Sequence, residues 1–333
     1  MSFFTTGMSK KTLLSGIQPS GQLHIGNYFG AIKQFIDMQD SHNAIYMIVD
    51  YHALNTIQDK KVMSENILNL AIDYLALGLD PKKSIIFKQS DVSEHTELCW
   101  IFDTITTMPF LMRAHAYKDA EANNKEISVG KFNYPMLMAA DILLYDTDIV
   151  PVGQDQRQHV EYSRDTAQKF NNVFKKDVFK LPEPKILDAV AIVPGTDGRK
   201  MSKSYGNTIP LFATDEEVEK AVMSIVTDSK SPDEPKDPET DNVFALHKLF
   251  TEGPEFAELR DRYEAGKIGY KESKEMLIKN IIKFITPMRE RRQALEKDKS
   301  AVLEVLKAGG KIARERAEKK MEEVREKVGL KLY

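Results

Sequence analysis

Apolar residues in the N-terminal half of the chain fall in short unbroken runs, and most runs are followed by a stretch of helical period. Residues 12–17 (Thr-Leu-Leu-Ser-Gly-Ile) predict a buried strand, then a Pro-Ser-Gly turn and a helix from about Asn27. Residues 44–50 predict a second strand, with a helix over 63–77. Residues 84–88 predict a third, with a helix from near Ser93, and 148–153 a fourth, with a helix from Gln154. Strand–helix alternation of this kind argues for a parallel sheet covered by helices on both faces. The polar stretch 119–130 has no clear period and reads as a loop or insertion. Beyond Ser204 the pattern changes. Amphipathic helical stretches dominate, interrupted by a Pro- and acid-rich connector over 231–241. From about Lys271 onward long helices are expected, with breaks near Pro287 and at Gly309-Gly310.

The architecture implied is α/β: a Rossmann-like parallel-sheet domain over 1–207, followed by an all-helical domain over 208–333. Open parallel sheets bind ligands beyond the carboxyl ends of their strands. The segment 13–28, His52 and Asp155 each fall just after a predicted strand. Composition narrows the class further. Apolar content of 42% with 29% charged residues reads as a soluble globular enzyme. A single cysteine, Cys99, rules out an internal disulfide and suits a reducing compartment. It and Trp100 are assigned to packing. No apolar run reaches the roughly 18 residues of a membrane span. The first residues are too short and polar for a signal peptide, and an alternative start at Met8 would lead directly into the first strand. A cytoplasmic location is expected. The net charge of −3 does not advertise nucleic-acid binding, yet Lys and Arg outnumber acids from Arg289 onward. Composition alone reads that tail as a solvated helix with mixed-sign pairs.

Two segments carry the candidate chemistry. Residues 15–27 read Ser-Gly-Ile-Gln-Pro-Ser-Gly-Gln-Leu-His-Ile-Gly-Asn, and residues 200–204 read Lys-Met-Ser-Lys-Ser. A helix opening after Gly26 offers unpaired N–H groups and the positive end of its dipole to an anion. His24 and Asn27 can add donors, and Gly26 lets a flat base approach the backbone. Lys200 and Lys203 supply mobile positive charge able to follow departing pyrophosphate. Alone, the histidine would read as a surface residue and the lysines as solvated loop charges. Together they specify a site that binds ATP and exposes its α-phosphate to attack.

The two segments resemble the HIGH-type and KMSKS signatures of class I aminoacyl-tRNA synthetases. Residues 26–31 (Gly-Asn-Tyr-Phe-Gly-Ala), 49–52 (Val-Asp-Tyr-His), 134–145 and 150–156 extend the resemblance to bacterial tryptophanyl-tRNA synthetases over nearly the whole chain. The resemblance implies activation of L-tryptophan by ATP with Mg²⁺, transfer to tRNA(Trp), and a homodimer. It implies no permanently bound cofactor or resident metal, and neither a membrane nor a DNA partner. Gln18, Pro19, Ser20, Gly26 and Asn27 would form one wall of the ATP site. Gly153, Gln154 and Asp155 would hold ribose and adenosine, with Ile192 nearby. Lys200, Met201, Ser202, Lys203 and Ser204 would form the mobile loop. Lys118 matches a lysine that the family brings to the phosphates, although its surroundings, Ala114-His-Ala-Tyr-Lys118, depart from the common pattern. Catalysis would rest on positioning and charge, with Lys200, Lys203, His24 and Asn27 as its main agents.

Specificity has an argument of its own. Tyr134, Met138 and Asp141 are spaced i, i+4, i+7, so one helix face presents all three. Asp141 sits within Leu-Met-Ala-Ala-Asp-Ile-Leu-Leu, and a buried carboxylate is costly unless it meets a donor. Indole offers a single N–H on a large apolar body. Related tyrosyl enzymes generally place Gln where this chain has Met138, so Met138 and His52 favour tryptophan. Met138 taken alone would read as core. Gln156, with Tyr134, would hold the substrate ammonium or carboxylate, and Val150 and Val152 would flank the ring. Leu14, His24 and Gln154 depart from the family pattern, where an aromatic, Thr and Glu are frequent. Other readings are tyrosine activation, nucleotidyl transfer to a small metabolite, and a catalytically silent regulatory paralogue. The long helical C-terminal half and the intact ATP motifs weigh against the last two.

Overall fold

The computed structural model describes residues 10–123, 126–153, 157–186 and 193–333. Its sheet is parallel, in the order β3-β2-β1-β4-β5: β1 Thr12–Ile17, β2 Asn43–Ile48, β3 Ser84–Lys88, β4 Ile149–Val152 and β5 Glu183–Ile186. The four strands expected from apolar runs are all present. β5 escapes that pattern because Glu-Pro-Lys-Ile has no apolar run; it lies at the sheet edge, where a proline is tolerated.

After β1, α1 (Ile25–Asn27) passes through a π-helical turn over Tyr28–Ile32 into α2 (Lys33–Met38). β2 leads to α3 (Asp50–Ala53) and α4 (Lys60–Leu77), and β3 to α5 (Glu94–Ile105), α6 (Met108–Leu111), α7 (His115–Ala122) and α8 (Val129–Leu143). The stretch 119–130, expected as a loop, is helical at its two ends, where 119–122 close α7 and 129–130 open α8, while 123 and 126–128 between them belong to no helix. At 8 residues, α7 is too short to display a period. α9 (Arg157–Val173) follows β4. Beyond Ser204 come α10 (Asp215–Met223), α11 (Asn242–Phe250), α12 (Gly253–Glu264), α13 (Tyr270–Lys297) and α14 (Lys299–Lys327). A Rossmann-like sheet domain is thus followed by a helical one. No described helix is long and apolar enough to cross a membrane.

Strand alternation divides the core between the faces of the sheet. Leu13, Tyr46, Ile48 and Ile86 pack with α4, α10 and α13 on one side. Leu14, Ile45, Met47, Phe87 and Val150 pack with α5, α8 and α9 on the other. α14 serves both. Its Val302 and Leu306 join the first core, while Ala313, Ala317, Met321 and Val324 join the second. Between them Gly309 and Gly310 cross the open edge of β3, so close that a Cβ on Gly309 would stand 2.0 Å from the Ile86 carbonyl oxygen. An otherwise unpaired strand edge is thereby covered.

Two expected helix breaks are therefore absent. α14 runs straight through Gly309-Gly310, because those glycines serve close approach and not termination. α13 runs through Pro287, which is exposed, as is Lys283 four residues earlier, so water can satisfy the carbonyl the proline leaves unpaired. The real break falls at Asp298, whose side chain caps α14 through the Ala301 amide. Trp100 is also corrected: it is 70% exposed on α5 and does not pack, whereas Cys99 is half-buried against the second core. The sequence places Trp100 in the helix that follows the third strand but does not show which of its stripes faces outward.

Candidate active site

A cavity of about 300 Å³ opens where β1 and β4 diverge in their onward connections, the position favoured for ligands in open parallel sheets. Residues 14–18 of β1 and the loop after it form one side. Val150, Val152 and Gly153 form the facing side, and Tyr134, Met138 and Asp141 of α8 present the helix face expected from their spacing. His52, just beyond β2, closes the end. Gly30 borders the cavity with open space where a side chain would be. Leu14, a departure from the family pattern, is also part of the lining.

Asp141 is 3% exposed, yet its carboxylate is amply partnered. His52 Nε2 lies 2.9 Å from Oδ2, and Gln89 Nε2 donates to Oδ1 at 2.7 Å and Oδ2 at 2.9 Å. His95 Nδ1 approaches Oδ1 to 2.6 Å, bent away from hydrogen-bond alignment. Burial alone would raise the carboxyl, but the two histidines overcome it and hold the group well below the usual carboxylate range. Sequence reasoning missed Gln89 and His95. Each sits just after or beyond β3 in a segment with no motif, and only the fold brings them to α8.

The HIGH-type segment and the Lys-Met-Ser-Lys-Ser loop meet. Ile25 N–H donates to the Ile209 carbonyl at 3.0 Å and Leu211 N–H to the Leu23 carbonyl at 3.0 Å. Lys203 Nζ donates to the Ser20 carbonyl at 3.1 Å, and Gly26 N–H points to Met201 Sδ at 3.4 Å. A Cβ on Gly26 would come within 3.0 Å of the His24 ring and 3.3 Å of Met201, so only glycine fits there without displacement. Asn27 Oδ1 accepts the His24 N–H at 3.1 Å. His24 Nδ1 is buried with no hydrogen-bond partner among the described residues. Burial, and secondly the Lys203 charge, lowers His24 to about 4, so the ring is neutral at pH 7. Lys203 is itself lowered by partial burial of its ammonium end.

The loop also has an organiser that sequence reasoning missed. Asn207, 2% exposed, accepts the Ser202 N–H at 2.8 Å and donates to Asp197 Oδ1 at 2.6 Å and the Lys200 carbonyl at 3.1 Å. Ser202 and Ser204 hydroxyls pair at 2.8 Å. Pro19 is buried beside exposed Ser20, Gln18 borders the cavity, and Lys200 is exposed.

Lys118 is not gathered here: it is exposed on α7 and does not line the cavity. The Tyr134 hydroxyl, pushed up to about 12 chiefly by burial, pairs with His159 Nε2 at 2.5 Å. Gln154, Asp155, Gln156 and Ile192 lie outside the described residues.

A family model described as tRNA synthetases class I (W and Y) matches residues 8–286. The tryptophan–tRNA ligase of Fusobacterium nucleatum is 52% identical over 96% of this chain and 98% of its own length. That of Rhodopirellula baltica is 47% identical, covering 96% and 99%. The crystal structure of Campylobacter jejuni tryptophanyl-tRNA synthetase complexed with ADP and tryptophan superposes with a TM-score of 0.90 at 47% identity, covering 96% of this chain and all of that one. By fold, motif geometry and likeness over nearly its full length, the chain belongs to the class I tRNA synthetases, in their bacterial tryptophanyl branch.

Proposed function

We propose that the chain ligates tryptophan to tRNA(Trp) in two steps. The observation that carries this reading is the ionised, buried carboxylate of Asp141 at an apolar cavity whose neighbouring segments form a class I ATP site. In the first step a tryptophan carboxylate oxygen attacks the α-phosphorus of ATP, forming the tryptophanyl-adenylate and releasing pyrophosphate. In the second a terminal ribose hydroxyl of tRNA attacks the activated carbonyl, and AMP leaves. No protein nucleophile is needed.

Asp141 accepts the indole N–H, while Met138, Val150, Val152 and His52 enclose the ring. Tyr134 and Gln156 hold the amino-acid end. Gln18, Pro19, Ser20, Gly26, Asn27, Gly153, Gln154, Asp155 and Ile192 hold ATP, which enters with Mg²⁺ as its counter-ion. Neutral His24 donates to a phosphate without adding charge, and Lys200 and Lys203 neutralise the leaving pyrophosphate with Ser202 and Ser204 beside them.

We assign ATP chemistry to residues 1–207 and tRNA reading to 208–333, in the cytoplasm. Exposed Trp100, Met108 and Met112 on and after α5 support a homodimer. The test is pyrophosphate exchange with each standard amino acid. Tryptophan alone is expected to support exchange; tyrosine-dependent exchange in its place would overturn the assignment.

A further inference from the structure

The Asp141 carboxylate is the end of a buried chain that the proposed reaction does not use. Gln89 and His95 are each 0% exposed. Gln89 Oε1 accepts the Tyr51 N–H at 3.1 Å, which fixes its amide so that Nε2 faces Asp141. His95 turns Nδ1 to Asp141 and Nε2 to the Tyr145 hydroxyl, 2.9 Å away. The hydroxyl lies on α8's own C-terminal continuation, so helix, strand end and α5 all converge on one carboxylate. A carboxylate has roughly four acceptor sites. Among the described residues, two hydrogen bonds from Gln89 and one from His52 use them, with His95 Nδ1 close by but out of alignment, which leaves capacity for about one further donor from the cavity.

From this geometry we infer that Gln89 and His95 are specificity-determining positioning residues: they orient Asp141 and keep it an acceptor, so that the cavity demands an N–H from its occupant. The inference rests on the reading that Asp141 accepts the indole N–H. Neither residue touches substrate. Each acts by denying Asp141 the freedom to rotate, or to take up a proton and become a donor itself. A ring of the same shape without an N–H then strands a desolvated carboxylate, the arrangement that gives strong rejection of isosteres.

The experiment compares kcat/KM in pyrophosphate exchange for tryptophan and for β-(benzothiophen-3-yl)alanine, in which sulfur replaces the indole N–H. Wild type is expected to prefer tryptophan by at least ten-fold, about the effect of one unpaired buried group. Gln89→Leu should cut that preference several-fold while largely retaining activity on the sulfur analogue. Gln89→Glu keeps the length of the side chain and an acceptor for the Tyr51 amide. At a pH high enough to ionise the introduced carboxyl against Asp141, the preference should fall. As pH drops and the introduced carboxyl takes a proton, its O–H replaces the lost N–H donor and the preference should recover; wild type should show no such recovery. His52 and His95 also face Asp141, with Tyr145 behind, so the variant's profile is read against that of wild type. Equal loss on both substrates in both variants, or a pH-independent ratio in Gln89→Glu, would overturn the positioning role. A wild-type enzyme indifferent to the N–H would instead overturn the Asp141 reading itself, and this inference with it.

Discussion

Lys203 Nζ donates to the backbone carbonyl of Ser20 across 3.1 Å, joining two loops that lie 183 residues apart in sequence. The contact places a lysine whose charge is partly desolvated at the turn that precedes the helix N-terminus. A carbonyl is a weak partner for an ammonium compared with a phosphate, so the lysine can leave Ser20 as negative charge develops on pyrophosphate.

Lys203→Ala should therefore slow adenylate formation far more than it weakens tryptophan binding. Loss of such an electrostatic contact typically raises the activation barrier by about 3–4 kcal/mol. Single-turnover formation of the adenylate and equilibrium binding of tryptophan check this, and a near-normal rate would remove Lys203 from the chemistry.

Asn207→Ala should act on the same loop from within. It strips the Ser202 N–H and the Asp197 carboxylate of a buried partner, a loss of about 1–3 kcal/mol in stability. Adenylation should slow as well, because Lys200 and Lys203 flank the amide that Asn207 holds. A variant that melts earlier yet adenylates at the normal rate would show that the asparagine serves the fold alone.

Asp141→Ala should lower kcat/KM for tryptophan by about 2–4 kcal/mol, with Asp141→Asn falling between it and wild type. Discrimination against phenylalanine should shrink in both, since phenylalanine never uses the contact. Measured together with melting temperature, a uniform fall for both amino acids would assign Asp141 to the fold.

Much of this was legible beforehand. Tyr134, Met138 and Asp141 share a face because helical spacing requires it, and β1 to β4 follow from apolar runs. Gln89 and His95 were not legible, because a polar residue announces its partner only when a distant element arrives. Pro287 and Gly309-Gly310 misled for a related reason. Local propensity marks them as breaks, while solvent exposure in one case and contact with β3 in the other keep the helices continuous.

Stability should fall as pH drops from 7 to 5. Burial holds His24 and His247 to about 4, whereas an unfolded histidine titrates near 6.5. Their neutral-form stability is complete above pH 6.5 and is lost as pH falls toward 4, by at most about 3 kcal/mol each. Asp73, raised to about 6 mainly by burial, opposes this: its burial penalty is relieved as pH falls through 6. Two histidines outweigh one carboxyl, so urea midpoints at pH 7, 6 and 5 should decline in order. A flat series would contradict the histidine assignment.

Gly309→Ala should destabilise the protein by about 1–3 kcal/mol, the usual range for overpacking, because backbone atoms of Ile86 cannot step aside as a side-chain tip would. An unchanged melting temperature would mean that α14 slides along β3 freely. Gly329→Ala, at a positive φ of 80° but in open space, is a control for glycine loss away from β3.

The crossing of β3 by α14 also fixes an order of events during synthesis. Asp91 and Arg314, which bond across this seam, are separated by 223 residues. β1, β2 and β3 can pair early, yet their outer edge stays bare until residues near Gly309 leave the ribosome. For most of translation the nascent chain carries a template for unwanted strand addition. Ribosome pausing or premature termination between α13 and α14 should therefore yield insoluble product in place of a shortened, soluble catalytic domain.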